Sequence, residues 1–190
     1  VDLACHEGYP GHHVYNVLLE KHLVRDRGWV EFSVYPLFSP QSLIAEGTAN
    51  YGIRVAFPRD DRVTFERDIL FPKAGLDPTK AEHYYRVLEQ VKKLKYAGNE
   101  AARGYLNGEI DASAAAAQLV RYTLITQSRA EQAVGFYDQY RSYVINYNLG
   151  EDLVRQYIER QVGAEGDRRR TWEEFGRLLS SPSLPSDLRR

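Results

Sequence analysis

Apolar residues recur at helical intervals along almost the whole chain, and nowhere do they alternate over the length of a strand. That periodicity is the strongest constraint on the fold. Val14, Val17, Leu18 and Leu23 make one stripe within Cys5 to about Val24. Leu43, Ile44, Ala49, Ile53 and Val55 make a second, opened by Ser39-Pro40 as cap and first-turn proline and stopped near Pro58. Asp60 to about Phe71 reads as a charged helix closed by Pro72. Asp77-Pro78 repeats the cap-and-proline start for a long segment that Asn107-Gly108 ends. Asp111 or Ser113 caps an alanine-rich helix through Ile125. Ser128 to Glu131 and Thr171 to Glu174 read as capping boxes. Tyr137 to Gln161 is expected to be helical with an interruption at Asn148-Leu149-Gly150. The expected fold is all-α and multi-helix, a single domain over 1–180 with a flexible tail over 181–190, where prolines and serines gather.

A chain of 190 residues with 43% hydrophobic content can bury a real core. A net charge of -1 gives no electrostatic case for nucleic acid or an anionic membrane as partner. No apolar run approaches the roughly 18 residues of a membrane span. The lone Cys5 excludes an internal disulfide and reads as a small buried hydrophobe rather than a metal ligand. A start at Val1 and the lack of methionine suggest a fragment or a mature product.

The chemistry concentrates in His6-Glu7-Gly8-Tyr9-Pro10-Gly11-His12-His13, which holds three of the five histidines. Neutral imidazoles bind zinc, and a carboxylate beside a ligand can accept a proton from water that the metal activates. The spacing departs from His-Glu-x-x-His, because position i+4 is Pro10. On an ideal helix His13 would return to the face of His6, whereas His12 would point away. Pro10-Gly11 disfavours an ideal helix, and an inserted residue or a π-type turn would bring His12 back. Spacing alone leaves His12 and His13 open. The best third ligand is Glu46, set among small and apolar residues in Ile44-Ala45-Glu46-Gly47-Thr48-Ala49-Asn50-Tyr51. Its bland alternative is a glutamate on a solvated face. His22 and His83 read as solvated helical histidines.

Tyr137, Tyr140, Arg141, Tyr143, Asn146 and Tyr147 crowd one short segment. Phenols and a guanidinium suit stabilisation of an oxyanion or capture of a carboxylate. The competing reading is a packing face whose rings are buried and whose hydroxyls stay wet.

Taken together, His-Glu-x-x-Pro-Gly-His-His at His6 to His13 and Glu-Gly-x-Ala-x-Tyr at Glu46 to Tyr51 resemble the domain of unknown function 885 family. Its members are similar to gluzincin-type zinc metallopeptidases, mainly helical and often much longer. The likeness is clearest over about the first 60 residues and extends more weakly to Tyr143-Val-Ile-Asn-Tyr147-Asn-Leu-Gly150. It implies Zn²⁺ held by His6, His12 and Glu46, with Glu7 as general base. His13 is then a hydrogen-bond donor behind the ligands or a substrate contact. Two departures stand out. Val14, Tyr15 and Asn16 occupy the stretch where the family commonly has a glutamine, and Thr48 stands where a tryptophan is frequent. The position of the motif suggests the C-terminal portion of a longer enzyme, whose missing N-terminal portion would be a partner.

The function expected from the sequence is a zinc-dependent metallohydrolase, foremost a peptidase acting on peptides or small amides. Glu7 serves as base, and Arg141, Tyr143 or Tyr147 stabilises the oxyanion. The alternative is an inactive helical binding module, or a closed structural zinc site that also engages His13.

Overall fold

The computed structural model describes residues 1–163 and 167–189, with Arg59 described by its backbone alone. These residues are helical nearly throughout, and no strand occurs among them. The all-α class follows from the 3.6-residue periodicity, which lets each helix bury one face.

The chain divides into two compact units, one formed by Val1–Pro58 with Asn146–Arg190 and the other by Arg59–Ile145. The expectation of one domain over 1–180 therefore meets a chain that leaves the first unit after Pro58 and rejoins it at Asn146. The first unit contains α1 (Asp2–Glu7), α2 (His12–Leu19), α3 (Gln41–Ala56), most of α10 (Ile145–Val162) and α11 (Arg168–Leu179). A π-helical turn, Glu20–Arg25, continues α2. Its core joins Tyr15, Leu19 and Leu23 to Ile44, Tyr51 and Val55 of α3, Val154 and Ile158 of α10, and Phe175 and Leu179 of α11. Each such side chain, fully buried, contributes about 1.5–3 kcal/mol.

The second unit contains α4 (Arg59–Phe65), α5 (Phe71–Lys73), α6 (Ala81–Lys93), α7 (Lys95–Leu106), α8 (Ala112–Thr123) and α9 (Gln127–Tyr140). Its core is rich in alanine, with Ala101, Ala102, Ala115, Ala116 and Ala130 closing around Leu119, Val134 and Tyr137.

Several start and stop signals act as their chemistry dictates. Asp77 accepts from the Thr79 amide at 2.9 Å. Asp111, rather than Ser113, caps α8 by accepting from the Ala114 amide at 2.8 Å. Gly108, with φ of 74°, turns the chain after α7.

Other signals are overruled. Ser39 makes no cap to α3, whose first turn is closed by backbone bonds from Ser42 to Ser39 and from Leu43 to Pro40. Pro72 does not stop the helix before it; it sits in the first turn of α5, where its missing N–H costs nothing. The segment to Leu106 is divided at Leu94 into α6 and α7. The cap of α9 is Thr126, not Ser128, and the cap of α11 is Asp167, not Thr171. The interruption expected at Asn148-Leu149-Gly150 lies instead at the 3-10 turn Arg141–Val144, and α10 runs unbroken through Gly150. The reason is a close crossing of α3 and α10. A Cβ on Gly47 would lie 2.4 Å from the Gly150 carbonyl oxygen, and one on Gly150 would lie 2.6 Å from that of Leu43. Gly150 is thus a contact surface and not a helix breaker.

The tail is not loose over its described part. Leu188 is fully buried in the core of the first unit, and Arg160 donates to its carbonyl. Arg190 lies outside the described residues.

Candidate metal centre

The disturbed turn at Pro10-Gly11 builds the site. It separates α1 from α2, so His6 lies on one helix and His12 and His13 on the next. Pro10 is fully buried, and a Cβ on Gly52 of α3 would come within 3.0 Å of its ring. Gly11 packs its bare Cα against the last turn of α1, where a Cβ would lie 1.8 Å from the His6 carbonyl oxygen. No side chain fits there, so the glycine is demanded by close approach. The π-type turns lie elsewhere, at Glu20–Arg25 and Glu66–Leu70.

This turn swings His12 back to His6. The two Nε2 atoms stand 3.1 Å apart, with the rings edge to face at 89°. Glu46, from the middle of α3, completes the cluster. Its Oε2 lies 3.3 Å from His6 Nε2 and 3.6 Å from His12 Nε2. Glu46 is only 6% exposed, so the solvated-face alternative does not hold.

The spacing can be tested against a zinc ion. Metal–ligand bonds of about 2.0–2.1 Å in tetrahedral array put neighbouring donors about 3.3–3.4 Å apart. The three separations here, 3.1, 3.3 and 3.6 Å, bracket that value. Two imidazole nitrogens and one carboxylate oxygen suit a transition metal such as zinc, whereas calcium and magnesium prefer oxygen alone. His6 is raised above its ordinary 6.5, first by the hydrogen bond to Glu46, against desolvation, with the charge of Glu46, Asn50 and the charge of Glu7 adding to the effect. Glu46 thus favours a proton on His6, which a bound metal would have to displace.

Asn50 extends the arrangement and was not singled out in the sequence. His6 Nδ1 donates to Asn50 Oδ1 at 3.0 Å, and Asn50 Nδ2 donates to the Tyr147 carbonyl on α10 at 2.8 Å. With Nδ1 donating to Asn50, Nε2 is the nitrogen that His6 turns to the cluster, free to ligate when that atom carries no proton. The available signal was spacing, since Asn50 follows Glu46 by four residues and shares its helical face. Replacing Asn50 with alanine is expected to weaken zinc affinity about 10- to 100-fold while leaving the fold intact. Competition against a chromophoric chelator measures this, and unchanged affinity would remove Asn50 from that role.

The remaining candidates fall as follows. Glu7 is exposed at the end of α1, directly after His6. His13 is exposed and stands outside the donor group, as do Cys5, which is buried, His22, which faces Asp26, and the exposed His83. Among the described residues no further histidine, cysteine or carboxylate joins His6, His12 and Glu46. Arg141 and Tyr143 belong to the second unit, and Tyr147 to the first. In the tyrosine-rich segment, Tyr137 is buried and donates to the Gly98 carbonyl at 3.3 Å, while Tyr140 stacks on Phe136 at 4.5 Å. These two serve packing.

Compared with family models, with curated proteins and with solved structures, the chain matches none.

Proposed function

We propose that the chain is a zinc metallohydrolase domain of the gluzincin type, related to the domain of unknown function 885 family and acting on peptide bonds. The observation that carries this reading is three nitrogen and oxygen donors at tetrahedral spacing, with no fourth protein ligand among the described residues. Catalytic zinc sites use three protein ligands and keep one position for water or substrate, whereas structural sites close all four. His13 was the residue to close the shell, and it is exposed outside the group. This favours the hydrolase over the structural alternative.

Zinc, when bound, supplies a Lewis acid that polarises a carbonyl and acidifies water. The chain's own residues supply the rest. His6, His12 and Glu46 hold the ion. Asn50 fixes the ring of His6 and its tautomer. Glu7, adjacent in sequence and open to solvent, accepts the proton and returns it to the leaving amine. The resemblance over the first 60 residues supports the same assignment.

The test combines metal content with turnover. Elemental analysis of the purified chain is expected to give about one zinc per chain, and a mixed peptide library read by mass spectrometry is expected to yield cleavage products. Glu7→Gln is expected to retain zinc and lose about 10²- to 10⁴-fold in turnover. Activity that survives this change would remove Glu7 as base. No zinc uptake, even after zinc is added, would put the inactive helical module ahead.

A further inference from the structure

We propose that Tyr35 donates the hydrogen bond that stabilises the substrate's carbonyl oxygen as negative charge develops on it; this rests on the hydrolase reading above. On α3, Ser42, Glu46 and Asn50 lie at i, i+4 and i+8, so they form one polar stripe along a single helical face. Asn50 holds His6, Glu46 is the carboxylate of the donor group, and Ser42 holds Tyr35. Ser42 is fully buried, and its hydroxyl donates to the Leu37 carbonyl. Its oxygen is left to accept, and it takes the Tyr35 hydroxyl at 2.7 Å. The phenol is thereby moored to the residue one helical turn before Glu46 on the same face of α3.

Tyr35 and Glu46 are also in electrostatic reach of each other. Burial pushes the Tyr35 hydroxyl above its ordinary 10, opposed by the Ser42 hydrogen bond, and the charge of Glu46 pushes it further up. The phenol keeps its proton at neutral pH, as a donor must. The residue is 38% exposed, so its ring borders solvent while its hydroxyl is bonded to the buried Ser42. Its neighbours Val34 and Phe38 are 70% and 68% exposed and give a peptide's apolar side chains a surface beside the hydroxyl. Tyr35 lies between the short 3-10 turn Val30–Ser33 and the start of α3, in no helix of its own. Redirecting its proton from Ser42 to a substrate oxygen breaks no helical bond, and Ser42 keeps its bond to Leu37.

Two variants test the assignment on the zinc-loaded chain, Tyr35→Phe and Ser42→Ala. The probe is a phosphinic dipeptide amide, whose tetrahedral P–O group stands for the oxyanion and needs no turnover to report. Its affinity is measured by calorimetry beside zinc content, thermal midpoint, and kcat and KM on a cleaved peptide. Tyr35→Phe is expected to keep zinc and midpoint, to bind the probe about 10²-fold more weakly, and to lower kcat comparably with KM nearly unchanged. Ser42→Ala is expected to weaken probe binding and kcat by about 3- to 10-fold, less than Tyr35→Phe, because the phenol loses its mooring yet keeps a proton to donate. Equal probe affinity in Tyr35→Phe would overturn the proposal. So would a Ser42→Ala variant as impaired as Tyr35→Phe, which would mean that Tyr35 only pins its loop. If the zinc-loaded chain binds the probe but cleaves no peptide, the hydrolase reading fails while probe affinity still decides on Tyr35. If it binds neither zinc nor probe, both fail.

Discussion

Gly11→Ala is expected to destabilise the first unit by about 3 kcal/mol and to abolish zinc binding with it. The added Cβ would sit 1.8 Å from the His6 carbonyl oxygen and 2.4 Å from that of Cys5. Both are backbone atoms, so no side chain can swing aside and the start of α2 must lift from α1. That movement separates His12 from His6, whose 3.1 Å approach is made by the same turn. Thermal unfolding is expected to show a midpoint about 6–12 °C lower. Gly176 provides the control. It lies inside α11, and a Cβ added there would meet nothing within 4 Å, so Gly176→Ala is expected to stabilise by about 0.5–1 kcal/mol. Opposite signs for two identical chemical changes would isolate close approach as the cause. A Gly11→Ala variant of unmodified stability and metal affinity would refute the account of the turn.

Glu46→Ala is expected to erase the thermal stabilisation that zinc confers. With zinc at about 100 times its dissociation constant, the unmodified chain gains about 2.7 kcal/mol, because metal binds the folded state alone. For a chain of this size that is a rise of about 5–10 °C in midpoint. Removing one of three ligands leaves two imidazoles, too few to hold zinc against solvent, so the shift is expected to vanish and bound zinc to fall towards zero. Differential scanning calorimetry with and without zinc decides this. A full shift in Glu46→Ala would mean that zinc binds elsewhere and that the cluster of His6, His12 and Glu46 is not the site.

The candidate site was legible in residue type and only partly in geometry. His6, Glu7 and Glu46 stand out because a histidine–glutamate pair and a glutamate in an apolar helix are chemically conspicuous. Spacing could not choose between His12 and His13. On a continuous helix His13 would share the face of His6, but the chain turns between α1 and α2, and the turn is fixed by Pro10 seated against Gly52, far along the chain. Asn50 and Tyr35 carried no signal beyond their spacing, because an asparagine on a helix and a tyrosine in a loop are common.

Helix punctuation divides along the same line. The sequence by itself determined what depends on neighbours in the chain: helical periodicity, the aspartate cap at Asp77, a cap at Asp111 or Ser113, the turn at Asn107-Gly108 and the break at Pro10-Gly11. Each is settled by a dihedral preference or a hydrogen bond spanning three or four residues. Tertiary structure decided the rest. Gly150 continues α10 because a helix crosses it at Gly47, and Leu188 orders the tail because the first unit's core receives it. His12 meets His6 and Glu46 because three helices converge. Those outcomes rest on contacts between residues far apart in the chain, where local preference is weak and the packing of backbone against backbone decides.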